Sequence, residues 1–303
     1  MKKIIVIGSC NTDMVVCSKR IPVPGETILG GKFMMNPGGK GANQAVAAAR
    51  LGGDVTFIAR VGDDMFGRQS VELYKKEGID TRYITTDPTE DSGVALIMVD
   101  EKGENCISVA SSANDTLKRP QVDAAKSILH EGDIMLMQLE TPLPTIEYAA
   151  RIASERGLKV ILNPAPAREL PESLLRNLYM IIPNETEASL MSGINITDIK
   201  TAREAADAIA AKGVDIVVIT MGKRGALVKN GNDCELVPTF KADAVDTTAA
   251  GDTFCGALCV ALAEGRGIRE AVEFGNRAAS ISVTRPGAQA SIPMRAELEE
   301  KDN

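Results

Sequence analysis

The chain has 303 residues, a length that suggests two domains or one large one and is ample to bury a core. With 34 Lys plus Arg against 41 Asp plus Glu, its net charge of −7 argues against a sequence-independent nucleic-acid binder. The single histidine, His130, excludes His-rich zinc sites and leaves one candidate for any Ser/His/Asp or Cys/His machine, so the chemistry must run on carboxylates, amides, hydroxyls and backbone.

The first apolar run, Lys3–Ile7, reads as a strand buried on both faces. It is too short for a signal segment or a membrane span, and no later run reaches the roughly 18 apolar residues a span needs. The expectation is a soluble, cytoplasmic protein with no membrane or nucleic-acid partner. Strands are then expected at Val55–Val61, Ile134–Gln138, Val160–Asn163, Tyr179–Pro183 and Ile216–Thr220. Helical patterns lie between and after them at Ala42–Leu51, Arg68–Glu77, Val122–Leu129, Leu143–Glu155, Ala202–Ala211, Asp252–Glu264 and Ile268–Ala279, with an amphipathic tail at Arg295–Lys301. Short buried strands alternating with helices imply an α/β fold with a largely parallel sheet covered on both faces.

Two segments break the alternation. Residues 12–36 are strand-like and Pro/Gly-rich, and residues 92–110 read as a β-hairpin. They are expected to pair into one small accessory sheet, either a lid that closes over a site or an ordinary edge hairpin. One domain spanning 1–303 with this sheet inserted fits better than two. The six cysteines form no C-x-x-C pair and read mostly as reduced core thiols. Met135 and Met137 read as core, and His130 as a surface residue near a helix end.

Neither the G-x-G-x-x-G nor the G-x-x-x-x-G-K-[ST] fingerprint is present. The strongest local feature is Asp246-Thr247-Thr248-Ala249-Ala250-Gly251-Asp252-Thr253-Phe254, small residues entering an apolar helix. Such a loop aims backbone N–H groups at one spot, an anion hole at a helix N-terminus. Asp252 beside it can take a hydroxyl proton during phosphoryl transfer; ordinary helix capping explains the same residues equally well. Pro37-Gly38-Gly39-Lys40-Gly41-Ala42-Asn43-Gln44 is a second glycine loop entering a helix, either a ligand cradle or a plain turn. In Pro183-Asn184-Glu185-Thr186-Glu187, Asn184 and Glu187 share a helical face and suit either a metal's water shell or a capping motif.

Together with Asn11-Thr12-Asp13, Met137-Gln138-Leu139-Glu140, Asn163-Pro164-Ala165-Pro166-Ala167-Arg168 and Thr284-Arg285-Pro286-Gly287-Ala288-Gln289, these segments resemble the ribokinase/PfkB family of carbohydrate kinases, in its ribokinase branch, over essentially the whole chain. The resemblance implies a ribokinase-like three-layer α/β/α fold with a small β-sheet lid, and ATP-dependent phosphoryl transfer to the 5-hydroxyl of D-ribose. By that likeness Asp252 is the base and Ala249, Ala250 and Gly251 supply the anion hole. Asn11, Asp13, Gly39, Lys40, Asn43 and Glu140 would hold the sugar. Asn184, Thr220, Gly222, Lys223, Gly225, Gly251 and Asn276 would hold the nucleotide, with Asn184 and Glu187 tied to Mg²⁺. A K⁺ cage would come from Asp246, Thr248, Ser282, Arg285, Gly287 and Ser291, mostly through carbonyls, and a homodimer would form through the lid. One departure is that Ala249 stands where the family usually has glycine, a change accommodated if its φ is negative. A 2-deoxyribokinase, another sugar or nucleoside kinase, and a non-catalytic sugar-binding protein are the competing readings.

Overall fold

In a computed structural model the chain is described over residues 1–299. The first strand, β1 (Ile4–Ile7), is buried throughout. Ile4 and Val6 pack into one hydrophobic layer and Ile5 and Ile7 into another, as the alternation of a strand between two helical layers requires.

The large sheet has nine strands in the order β13 (Asp233–Val237), β12 (Ala226–Asn230), β11 (Ile216–Thr220), β10 (Met180–Ile181), β9 (Lys159–Leu162), β8 (Ile134–Met137), β1, β4 (Val55–Gly62) and β5 (Ile84–Asp87). Pairings from β11 to β5 are parallel, and the edge hairpin β12–β13 is antiparallel. On one face lie α1 (Lys40–Arg50), α2 (Met65–Lys76), α8 (Ala250–Ala263) and α9 (Ile268–Ser282). On the other lie α3 (Arg119–Ala124), α4 (Leu143–Glu155), α5 (Glu172–Leu175), α6 (Glu185–Ser192) and α7 (Ile199–Ala210). This is the expected α/β/α sandwich. The helix expected over Val122–Leu129 is instead α3 followed by a separate 3₁₀ turn at Lys126–Ile128. The tail helix α10 runs over Arg295–Glu299, and the rest of the expected Arg295–Lys301 lies outside the described residues.

Helix α8 is buried from Asp252 to Ala263, the mark of a helix that is apolar all round and sits inside the protein. It packs on α1 at Gly256, where an added Cβ would come within 2.7 Å of the Ala47 methyl. That close approach brings the first turns of α1 and α8 together.

The segments that break the alternation form a second sheet, ordered β3 (Lys32–Gly38), β2 (Asn11–Cys17), β6 (Gly93–Val99) and β7 (Asn105–Ala110), so the expected pairing is found. Its large apolar side chains Val16, Phe33, Met34, Met35, Leu96, Met98, Ile107 and Val109 remain exposed. The expectation of core thiols holds for Cys10, Cys255 and Cys259; Cys17 and Cys234 are half-buried and Cys106 is exposed, because β7 is an edge strand open along its length. His130 is exposed, and Met135 and Met137 are fully buried. Among the described residues no helix is long and apolar enough to cross a membrane.

Candidate active site

The residues singled out by sequence gather where the parallel strands end, the edge at which open α/β sheets receive ligands. At their centre is Asp252, in the first turn of α8 and only 6% exposed. Asn43 Nδ2 donates to its Oδ2 at 3.0 Å and Gln44 Nε2 to its Oδ1 at 2.9 Å, both from the first turns of α1. Burial pushes the Asp252 carboxyl above its ordinary range, opposed by the Lys40 charge and the two amide donors. Burial also works against the Lys40 ammonium, but Asp252, Glu140 and Glu187 together hold it above its usual range.

Asp252 opens into a cavity of about 210 Å³ that Lys40, Asn184, Glu187, Thr220, Ala249 and Gly251 also line. In the loop before α8, the Ala250 N–H donates to the Thr247 carbonyl at 3.2 Å, while the Ala249, Gly251 and Asp252 N–H groups have no acceptor among the described residues. Of the expected anion-hole donors, Ala250 is thus engaged in closing the first turn, while the Ala249 and Gly251 N–H groups, with that of Asp252, are not. The condition under which alanine is accommodated at 249, a negative φ, is not met. Its φ is +57° and ψ 12°, the left-handed region where a Cβ crowds the following carbonyl. The turn needs that conformation so that the Ala249 carbonyl can accept the Thr253 N–H at 2.8 Å and start the helix.

On the sugar-expected side, Asn11 and Glu140 line a neighbouring cavity of about 550 Å³. Glu140 Oε2 accepts from Ser9 Oγ at 2.6 Å and from the Lys40 N–H at 2.9 Å, which pins the carboxylate to the glycine loop. Asn11 Oδ1 accepts from Asn114 Nδ2 at 2.8 Å. Gly39 has φ +90° and approaches the Asn11 backbone so closely that an added Cβ would stand 2.8 Å from its nitrogen. Asp13 is pushed up to about 6 by burial, with Glu140 and Asp252 adding to the rise and Lys40 opposing it.

Asn184 and Glu187 form a reciprocal capping box on α6, each side chain bonded to the other's backbone N–H at 2.8 Å. The capping and cavity-lining readings thus hold together, since the second Glu187 oxygen takes no part in the box and both residues line the Asp252 cavity. Gly222, Lys223, Gly225 and Asn276 line neither cavity. Gly225 is required by its φ of +98° and by the Val237 carbonyl, which a side chain would overlap. The Asn276 amide donates to the Val237 and Pro238 carbonyls at 3.2 Å each, tying α9 to the loop after β13.

The residues of the expected K⁺ cage come together in two groups. Asp246 accepts from the Thr248 N–H at 2.9 Å and the Gly287 N–H at 2.8 Å, and the Ser282 and Ser291 hydroxyls are 3.0 Å apart. The Arg285 side chain turns away to Glu297, so only its main chain is available to such a cage.

Sequence reasoning did not select Ser9, Gln44, Asn114, Gln138, Asn163 or Gln289, all buried polar residues of this region. The signal was an amide closing an otherwise apolar run, as Gln138 does after Ile134–Met137, because a buried amide demands a partner.

The profile of the pfkB family carbohydrate kinases matches residues 1–295. A ribokinase of Haemophilus influenzae is 45% identical over 296 residues, 98% of this chain and 97% of that protein. The structure of ribokinase from Thermotoga maritima superposes with a TM-score of 0.92 at 40% identity, covering all of both chains. That of Arabidopsis thaliana ribokinase complexed with ribose and ATP gives a TM-score of 0.91 at 30% identity, covering 99% of this chain and 98% of that one.

Proposed function

The chain belongs to the pfkB family of carbohydrate kinases, and from that premise we propose that it transfers the γ-phosphoryl group of ATP to the 5-hydroxyl of D-ribose, giving ribose 5-phosphate and ADP. The observation that carries the reading is Asp252, a buried carboxylate gripped by two amide donors beside N–H groups at the start of α8 that have no acceptor among the described residues. A non-catalytic sugar-binding protein has no use for that pairing.

Asp252 accepts the hydroxyl proton as the sugar oxygen attacks phosphorus and the bond to the bridging oxygen of ADP breaks. The Ala249, Gly251 and Asp252 N–H groups and the Lys40 ammonium stabilise the charge on the transferring group. Asn11, Asp13, Gly39, Asn43 and Glu140 hold the sugar hydroxyls; Asn184 and Thr220, which line the Asp252 cavity, hold the phosphate end of the nucleotide, and its remainder runs out of that cavity past Gly222, Lys223, Gly225 and Asn276. Glu187 lines the Asp252 cavity with one carboxylate oxygen outside the capping box, which suits Mg²⁺ held by one carboxylate, phosphates and water. Asn184 and Glu187 would hold that Mg²⁺, which neutralises phosphate charge when bound. Asp246, Thr248, Ser282, Arg285, Gly287 and Ser291 would offer K⁺ main-chain oxygens, since the two serine hydroxyls already pair with each other. The residues 12–36 and 92–110 act as a lid on one kinase domain, two copies pair through that sheet's exposed apolar side chains, and the enzyme works in the cytoplasm.

The test is an ADP-release assay across ribose, 2-deoxyribose, fructose and adenosine, with K⁺ or tetramethylammonium. Highest kcat/KM on ribose with K⁺ is expected. A site that pairs a hydroxyl rejects the analogue lacking it, so equal rates on 2-deoxyribose would overturn the substrate assignment.

A further inference from the structure

Three further buried amides stand behind Asp252, more than a carboxylate base needs for itself. Gln44 is wholly buried, Gln138 is 1% exposed and Asn163 is 9% exposed. Asn163 Nδ2 donates to the Ile182 carbonyl at 2.9 Å. A main-chain carbonyl cannot reverse its polarity, so this bond turns Asn163 Oδ1 toward Gln44, whose Nε2 donates to it at 3.1 Å. The same Nε2 donates to Asp252 Oδ1 at 2.9 Å. Gln44 Oε1 must then face Gln138, whose Nε2 donates to it at 2.6 Å. One peptide carbonyl on the strand edge thus sets the direction of every amide up to the carboxylate. Reversing Gln44 would put its oxygen against both Asp252 and Asn163 Oδ1.

A second observation shows that this polarity is held at a cost. Gln138 Oε1 is buried and has no hydrogen-bond partner among the described residues, so presenting its NH₂ to Gln44 leaves that acceptor orphaned. A network serving stability alone would satisfy that atom or replace Gln138 with an apolar side chain.

We propose that Gln44, polarised by Asn163 and Gln138, is a positioning residue that fixes the Asp252 carboxylate for attack on the substrate proton. This rests on Asp252 being the base. Gln44 touches neither cavity, so it acts only through that carboxylate.

The test is Gln44→Met, which keeps the length and removes the donor. Titratable groups facing Asp252 are Lys40 of α1, Glu140 after β8, Asp13 of β2, Glu187 of α6 and Cys255 of α8, and all remain in this variant. The expected result is a ribose dissociation constant within about threefold of the parent, with kcat lowered about 10–100-fold. The acidic limb of kcat against pH should move upward by about one unit, because a donor to the ionised carboxylate is gone. A kcat within about threefold of the parent, or a loss with the limb unmoved, would overturn the proposal. Should Gln44→Met not fold, Gln138→Met removes the polarising donor and is expected to shift the limb the same way by a smaller amount; a superposable profile would overturn the polarity argument. Asp252→Asn run alongside separates the two readings: if it turns over normally the base assignment fails, whereas an inactive Asp252→Asn beside a normal Gln44→Met removes only the positioning role.

Discussion

The carboxylate of Asp13 occupies the space that a side chain on Gly38 would need, two strands of the small sheet meeting across that gap. Gly38 is therefore fixed by the Asp13 side chain it faces rather than by its backbone conformation. Gly38→Ala should displace Asp13 and weaken ribose binding about tenfold or more, on the order of 1–3 kcal/mol, with a smaller change in kcat. Calorimetric titration with ribose checks this, and unchanged affinity would free Gly38 from that role.

Asp13 also carries a pH dependence whose direction follows from its raised pKa of about 6 against 3.8 for an unperturbed group. The folded state holds this proton more tightly than the unfolded chain, so the fold is favoured below about pH 4 and loses that stability as pH rises through about 6. Asp13→Asn should stabilise the ligand-free protein at pH 8 by on the order of 2 kcal/mol and change little at pH 4, while weakening ribose binding. Urea unfolding of variant and parent at both pH values measures the difference.

The left-handed Ala249 gives a stability prediction of its own. Its conformation costs about 1–2 kcal/mol, and glycine would remove that while adding about 0.4–1 kcal/mol of unfolded-chain entropy. Ala249→Gly should therefore gain up to about 1 kcal/mol in urea unfolding, and Ala249→Val should lose more than about 1 kcal/mol through its β-branch.

Ile107 and Val109 lie on the same side of the exposed edge strand β7 and are 53% and 50% exposed. If the small sheet joins two copies, Ile107→Glu buries a charge in the interface and should yield monomers by sedimentation velocity where the parent sediments as a dimer. A monomeric parent would end that reading.

How much was visible in the sequence depended on how local the cause was. Leu143–Glu155 is found with both expected ends, because its apolar spacing and the prolines at its start, Pro142 and Pro144, are properties of consecutive residues. The strand β5 and the hairpin β12–β13 were not anticipated, since Ile84–Asp87 is mostly polar and the hairpin mixes apolar with charged positions at the sheet's edge. Asp252 stood out because a small-residue loop enters an apolar helix there. The amides behind it did not, because Gln44 meets Gln138 and Asn163 at separations of 94 and 119 residues. The sign of φ at Ala249 is likewise set by the helix it starts and not by its neighbours in sequence.

Asp252→Ala offers the most direct measurement. Turnover should fall by roughly 10²–10⁴-fold, on the order of 3–5 kcal/mol of barrier, while ribose still binds in calorimetry with the other sugar contacts intact. Turnover within about threefold of the parent would contradict the role of Asp252 as the base and, with it, the mechanism built around the first turn of α8.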